Sequence, residues 1–197
     1  MLTMYGKELI GYLSILVTLF GYTHYFVSIF KGRTKPHAFS WMIWGFLVSV
    51  AFYAQYINKA GPGAWATGFV AVICIAVAII AMFRGEKDIK KSDWISFICA
   101  LTIIPVWYLT EDPLPALVIA MLIDMFGYYP TFRKSYYKPY EETIVAYVTG
   151  ILQVSLSLSA MEHYSLVNIT YPVFVMFINT SFVLMVVYRR GKANVAI

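Results

Sequence analysis

Long apolar runs separated by short polar segments dominate this chain. Continuous apolar stretches run over Leu9 to Phe30, Ala38 to Ile57, Pro62 to Phe83, Trp94 to Thr110, Leu114 to Phe132, Thr143 to Met161 and Leu166 to Tyr188. Each is close to the length of about 20 residues that a helix needs to cross the hydrocarbon core. Backbone groups in lipid must be satisfied within the segment, so the pattern predicts helices. The runs are continuously apolar rather than alternating, which excludes barrel strands. Pro36, Pro62, Pro113 and Pro139 fall at or near the predicted helix starts, where a missing N–H costs little. Pro105, Pro130 and Pro172 fall within or near the ends of runs, where they are candidates for kinks.

Composition sharpens this picture. The 197 residues are 60% hydrophobic and only 13% charged, against about 25% charged in soluble domains. About seven crossings of roughly 20 residues would leave little beyond loops and tails. The pattern therefore predicts an all-α integral membrane protein with seven transmembrane helices. The opening run is too long for a signal peptide and ends in no small-residue cleavage site, so it reads as the first span. Cys74 and Cys99 lie inside apolar runs and have no metal-ligand spacing.

Charge sets the orientation. Of the 15 basic residues, all but Lys7 and Lys59 fall in alternate loops or the tail. These are Lys31, Arg33 and Lys35; Arg84, Lys87, Lys90 and Lys91; Arg133, Lys134 and Lys138; and Arg189, Arg190 and Lys192. By the positive-inside rule the N-terminus is outside and the C-terminus cytoplasmic. The expected location is the cell (cytoplasmic) membrane.

The sequence also repeats. Laying Gly21 on Gly127 aligns Thr18-Leu19-Phe20-Gly21-Tyr22 with Asp124-Met125-Phe126-Gly127-Tyr128, and Phe26 with Phe132. Both segments then cross a basic loop to a proline, Pro36 or Pro139, after which Ser40 and Trp44 correspond to Thr143 and Tyr147. The third and seventh runs both end aromatic-Arg, at Phe83-Arg84 and Tyr188-Arg189. Two three-helix units in the same orientation need one extra crossing between them. The expected organisation is 3+1+3: a triple-helix repeat over 1–84, a linker with helix 4 over 85–112, and a second triple-helix repeat over 113–197. Parallel repeats of this kind are a transporter architecture, with the site near midplane between the halves.

The segment His24-Tyr25-Phe26-Val27-Ser28-Ile29-Phe30-Lys31-Gly32-Arg33-Thr34 resembles a PQ-loop motif, and Pro130-Thr131-Phe132-Arg133-Lys134 resembles its second copy. His24 stands where the motif has proline, and neither copy carries the glutamine. Trp41-Met42-Ile43-Trp44 resembles the Trp-x-x-Trp of PnuC proteins. Together these residues resemble the SWEET/PQ-loop/PnuC-like transporter superfamily. The resemblance implies a seven-helix carrier with its N-terminus outside, gating near His24 and Pro130, and a solute-binding asparagine on the last helix, where Asn179 stands.

Asp124 is the strongest substrate-binding candidate. It is the only charged residue deep inside any run, and a charge at the bilayer centre costs about 2.5–3.5 kcal/mol on insertion scales. It should face the bundle interior with a partner, as a solute ligand, a proton relay or a structural hydrogen bond. Asn179 is a mid-span amide that must find partners. Its counterpart is Cys74, where a sugar carrier would have a second asparagine. Trp41 and Trp44 share a helix face and offer aromatic walls, against the plainer reading of an interfacial belt. Tyr147 and Gln153 are further candidates.

No phosphate-binding glycine loop, paired metal-ligand motif or serine–base arrangement is present in the sequence. The chain is therefore read as a non-enzyme needing no cofactor. Its expected partners are a small polar solute and the lipid bilayer, with no nucleic acid, and a homo-oligomer is left open. The leading expectation is a facilitator or proton-coupled carrier working by alternating access, with a pocket lined by the second, fifth and seventh spans. A non-transporting receptor, sensor or accessory protein on the same scaffold is the alternative.

Overall fold

The computed structural model describes residues 4–110 and 113–195. The end of the expected linker at 111–112 and the chain ends lie outside the described residues. The described residues are helical, with no strand among them. The helices are α1 (Met4–Phe30), α2 (Ala38–Ile57), α3 (Trp65–Arg84), α4 (Lys91–Tyr108), α5 (Pro113–Tyr137), α6 (Ile144–Ala160) and α7 (Leu166–Val195). Short 3-10 turns, Gly61–Ala64 and Pro139–Glu141, lead into α3 and α6.

α2 has the bounds that hydropathy predicts. α1, α5 and α7 run past their apolar stretches, because basic and aromatic residues continue the helix where the lipid would end. Pro105, Pro130 and Pro172 all lie inside continuous helices. Four segments are long and apolar enough to cross a membrane: Met4–Phe30, Ala38–Ile57, Gly61–Arg84 and Leu166–Lys192. α6 is apolar but has only 17 residues.

Neighbouring helices can be read from their contacts. α1 packs on α3 and α6, and α2 packs on α3 and α5. α5 and α6 both pack on α7, while α4 rests against α5 and α2. The backbones of α1 and α2 do not approach each other closely, nor do those of α5 and α6. In each group of three, the third helix therefore sits between the first two. Cross-contacts fix direction: Gly21 meets Thr149 and Tyr25 meets Glu142, so α1 and α6 are antiparallel. Thr131 bonds Ser40 and Gly127 meets Ile43, so α5 and α2 are antiparallel too.

The repeated glycines have a physical reason. A Cβ on Gly21 would stand 1.9 Å from Thr149 Oγ1, and one on Gly127 would stand 2.9 Å from Ile43 Cγ2. Each glycine lets α1 or α5 approach α6 or α2 too closely for any side chain. Small residues at such crossings are how helices associate in lipid, where apolar burial gives no drive.

Polar loops are tied together at the end that carries the basic residues. Lys134, 1% exposed, donates to Glu142 Oε2 at 2.5 Å and to the carbonyls of Lys35 and Glu141. Tyr25 donates to Glu142 Oε1 at 2.8 Å. Thr34, Thr143 and Ser28 share a cluster of hydroxyl hydrogen bonds. Arg133 grips Asp93 through two bonds of 2.6 Å, and Lys138 pairs with Glu86 at 3.0 Å. Burial and its bond from the Asp88 N–H act in opposite senses on Glu86, and with Lys138 the net effect holds its carboxyl below the usual range.

His37 is fully buried beside this cluster, with Nε2 3.4 Å from Asp93 Oδ2. Burial lowers its pKa from 6.5, and Lys134 and Arg133 push the same way while Asp93 opposes. A base whose folded pKa is depressed binds fewer protons folded than unfolded. Its contribution to stability is thus present above pH 6.5 and lost as pH falls towards the folded pKa. The melting temperature should fall as pH drops from about 8 to about 5, and His37→Gln should flatten that dependence. An unchanged profile in the variant would assign the pH sensitivity elsewhere.

Candidate functional site

A cavity of about 80 Å³ lies where the two groups of three helices meet. Every helix except α4 contributes to it. α1 supplies Thr18 and Tyr22, α2 Trp41 and Trp44, α3 Cys74, α5 Asp124 and Tyr128, α6 Tyr147 and Gln153, and α7 Tyr171 and Asn179. The expected pocket of α2, α5 and α7 is thereby widened to six helices, because α1, α3 and α6 pack into the same centre. Trp41, Trp44, Asp124, Tyr147, Gln153 and Asn179, all expected from the sequence, line it. His24 and Pro130 do not. His24 is exposed on α1, and Pro130 is buried within α5.

The lining follows the sequence repeat. Thr18 and Asp124, Tyr22 and Tyr128, Trp44 and Tyr147, and Cys74 and Asn179 all face the same space. These are the residue pairs that coincide when Gly21 is laid on Gly127 and the helices are followed onward. Tyr22 and Tyr128 are identical and Trp44 and Tyr147 are both aromatic, whereas Thr18 and Asp124, and Cys74 and Asn179, differ in polar chemistry.

Asp124 is 1% exposed. Its Oδ2 accepts from the Tyr171 hydroxyl at 3.1 Å, while Oδ1 has no hydrogen-bond partner in the protein. The Trp44 indole N–H, turned towards Asp124, the Trp41 N–H, turned towards Tyr25, and the Tyr147 hydroxyl are likewise buried without a well-formed hydrogen bond. Asn179 Oδ1 accepts from Tyr128 at 2.8 Å, and its amide nitrogen would stand 3.4 Å from a Cβ on Gly150. Gln153 spends its amide on Ser157 at 2.9 Å. Buried polar atoms without partners are uncommon and costly. Several of them border this one space.

Aromatic rings close the side of the cavity nearest the basic end. Trp41 stands 5.0 Å from Trp44 and 5.2 Å from Tyr25, centroid to centroid. Tyr147 and Phe132 both pack on Phe182. On the opposite side the space continues. A cavity of about 60 Å³ bounded by Gln55, Gln153 and Tyr171 adjoins it. A larger one of about 230 Å³, bounded by Gln55, Asn58, Tyr171 and Pro172, then follows between α2, α5 and α7. Both are mainly apolar.

Tyr171, Tyr22, Tyr128 and Gln55 escape the sequence reading. Tyr22 and Tyr128 sit in the repeated Phe-Gly-Tyr motif, which would have flagged them had the repeat been read for chemistry as well as for ancestry. Nothing local marks Tyr171, which meets Asp124 only through the packing of α7 on α5. Asn168-Ile169-Thr170 has the pattern of a glycosylation sequon, but the Asn168 side chain is fully buried and its amide donates to the His163 carbonyl at 2.8 Å. Among the described residues no group of acidic, histidine and cysteine side chains could hold a metal.

Compared with known proteins, the chain matches no family model, no curated protein and no solved structure.

Proposed function

We propose that the chain is a seven-span, 3+1+3 membrane carrier of a small polar solute, working by alternating access as its resemblance to the SWEET/PQ-loop/PnuC-like transporters implies. The observation that carries this reading is the central cavity. It is lined by matched residues of both triple-helix groups and holds buried polar atoms with no partner. A pocket at the interface of two parallel repeats is where carriers of this architecture bind solute.

The packing supports the repeat. Exchanging α1 with α5, α2 with α6 and α3 with α7 leaves the pattern of contacts among these six helices unchanged. α4 lies outside that pattern, as an added crossing would. α4, α5 and α6 complete the seven spans in this reading. Their charges, prolines and short length are tolerated because neighbouring helices shield them. With basic loops at the cytoplasmic end, the cavity is sealed towards the cytoplasm by the aromatic rings and the Lys134–Glu142 network. It continues outward towards Gln55 and Pro172. Translocation would break the inner contacts between halves and form outer ones, with Gly21 and Gly127 as the tight crossings.

Cys74 provides the test, since it lines the cavity and is 2% exposed. In a Cys99→Ser background, oriented vesicles would be treated with a small impermeant thiol reagent from one face and then the other. A carrier gives modification of Cys74 from both faces. Modification from the outer face alone fits a receptor, and modification from neither fits a packed accessory protein. Either of the last two results removes the carrier reading.

A further inference from the structure

We propose that the solute is a small organic cation, an ammonium-bearing molecule with an acceptor oxygen, held by Asp124 within the aromatic walls of the central cavity. This deepens the carrier reading and rests on it. Among the residues lining the central cavity and the two that continue from it, Asp124 is the only one with a charged side chain. A carboxylate offers about four acceptor positions. Here one bond comes from Tyr171, and Oδ1 is left unbonded in a buried site. A buried carboxylate without a counter-charge is costly, and the lining provides no cation. Lys134, Arg133 and Lys138 are at the cytoplasmic end and already paired. The counter-charge is then either a proton on Asp124 itself or a group brought by the solute, and the walls favour the second.

The walls fit the same chemistry. Trp41, Trp44, Tyr22, Tyr128, Tyr147 and Tyr171 surround the space, and trytophan and tyrosine faces attract ammonium groups through their ring quadrupole. The Tyr147 O–H is an unused donor, and the Trp44 N–H is turned towards Asp124 without a well-formed bond. A bare ammonium ion has no acceptor for them, whereas an amino alcohol does. An anion would meet Asp124 as a like charge, and a neutral polyol would leave that charge uncompensated. At about 30 Å³ per water, the volume of about 80 Å³ holds about three waters, so a solute of about three or four heavy atoms fits and a larger one would reach into the adjoining space.

The test uses the purified full chain in detergent or nanodiscs, with ethanolamine and choline as probes. Their neutral analogues are 1-propanol and 3,3-dimethyl-1-butanol, and glycolate serves as the anion. One of the amines should raise the melting temperature and change tryptophan emission, while the analogues and glycolate do neither. Asp124→Asn should weaken amine binding about a hundredfold or more. Tyr147→Phe, which keeps the ring and the fold, should weaken it about three- to tenfold. Equal binding of amine and neutral analogue, or undiminished amine binding in Asp124→Asn, would overturn the inference. So would a parent whose melting temperature responds through Asp124 to pH alone and to neither amine, which would make a proton the counter-charge. Cys74 labelling from both faces would stand in each of these cases, so the failure of the cation inference is separable from failure of the carrier reading.

Discussion

Lys134→Met is expected to destabilise the protein by about 3–5 kcal/mol, the loss typical when one partner of a buried ion pair is removed. The lysine is 1% exposed and its partner Glu142 2% exposed, so water cannot take over from either. Methionine matches the lysine stem in shape and removes only the charge and the donors. Glu142 would keep its bond from Tyr25, and the carbonyls of Lys35 and Glu141 would lose their shared donor. Denaturant or thermal unfolding in detergent measures the loss. Combining it with Glu142→Leu should recover part of the stability, because no buried charge is then left alone. A loss under about 1 kcal/mol in the single variant would mean that the pair is in effect solvated. The network also joins the loop before α2 to the start of α6, across the two helix groups. In the carrier reading, the same variant weakens the inner seal and should speed modification of Cys74 from the cytoplasmic face.

Gly21→Ala should cost about 1–3 kcal/mol through overpacking. Its Cβ would overlap the Thr149 hydroxyl at 1.9 Å and approach Thr149 Cβ at 2.8 Å. A rotamer change moves the hydroxyl but not Cβ, so α1 and α6 must separate. Thr149→Ala should relieve part of the cost, and a double-mutant cycle measures that coupling. Gly191→Ala is the control. It has nothing within 4 Å and lies in a helix, where alanine is the better helix former, so neutral or slightly raised stability is expected. Equal effects at the two sites would show that helix propensity, rather than the crossing, sets the response.

The site divides into what one chain segment announces and what needs several. Asp124 is legible alone, because a charge amid apolar residues is costly anywhere in lipid and must be turned inward. Trp44, Tyr147 and Asn179 become legible through the repeat and the family resemblance. Tyr171 and Gln55 do not, since each enters the site through packing between helices far apart in sequence. The Lys134–Glu142 network shows the same limit. Lys134 reads as one more basic loop residue that helps set orientation, yet it is buried against Glu142. His24 is a related case. Its place near a motif says nothing about which side of α1 it occupies, and it lies exposed.

The sequence by itself determined the helical class and most helix positions. Apolar runs, punctuating prolines and the repeated Phe-Gly-Tyr are local signals, and local signals survive without neighbours. Only the tertiary structure decided which polar atoms lack partners, that six helices rather than three enclose the cavity, and that Gly21 and Gly127 mark the close crossings. Those facts depend on distances between segments a hundred or so residues apart. In a membrane they are set by close packing and hydrogen bonds between helices rather than by hydropathy, so the hydropathy pattern carries no trace of them.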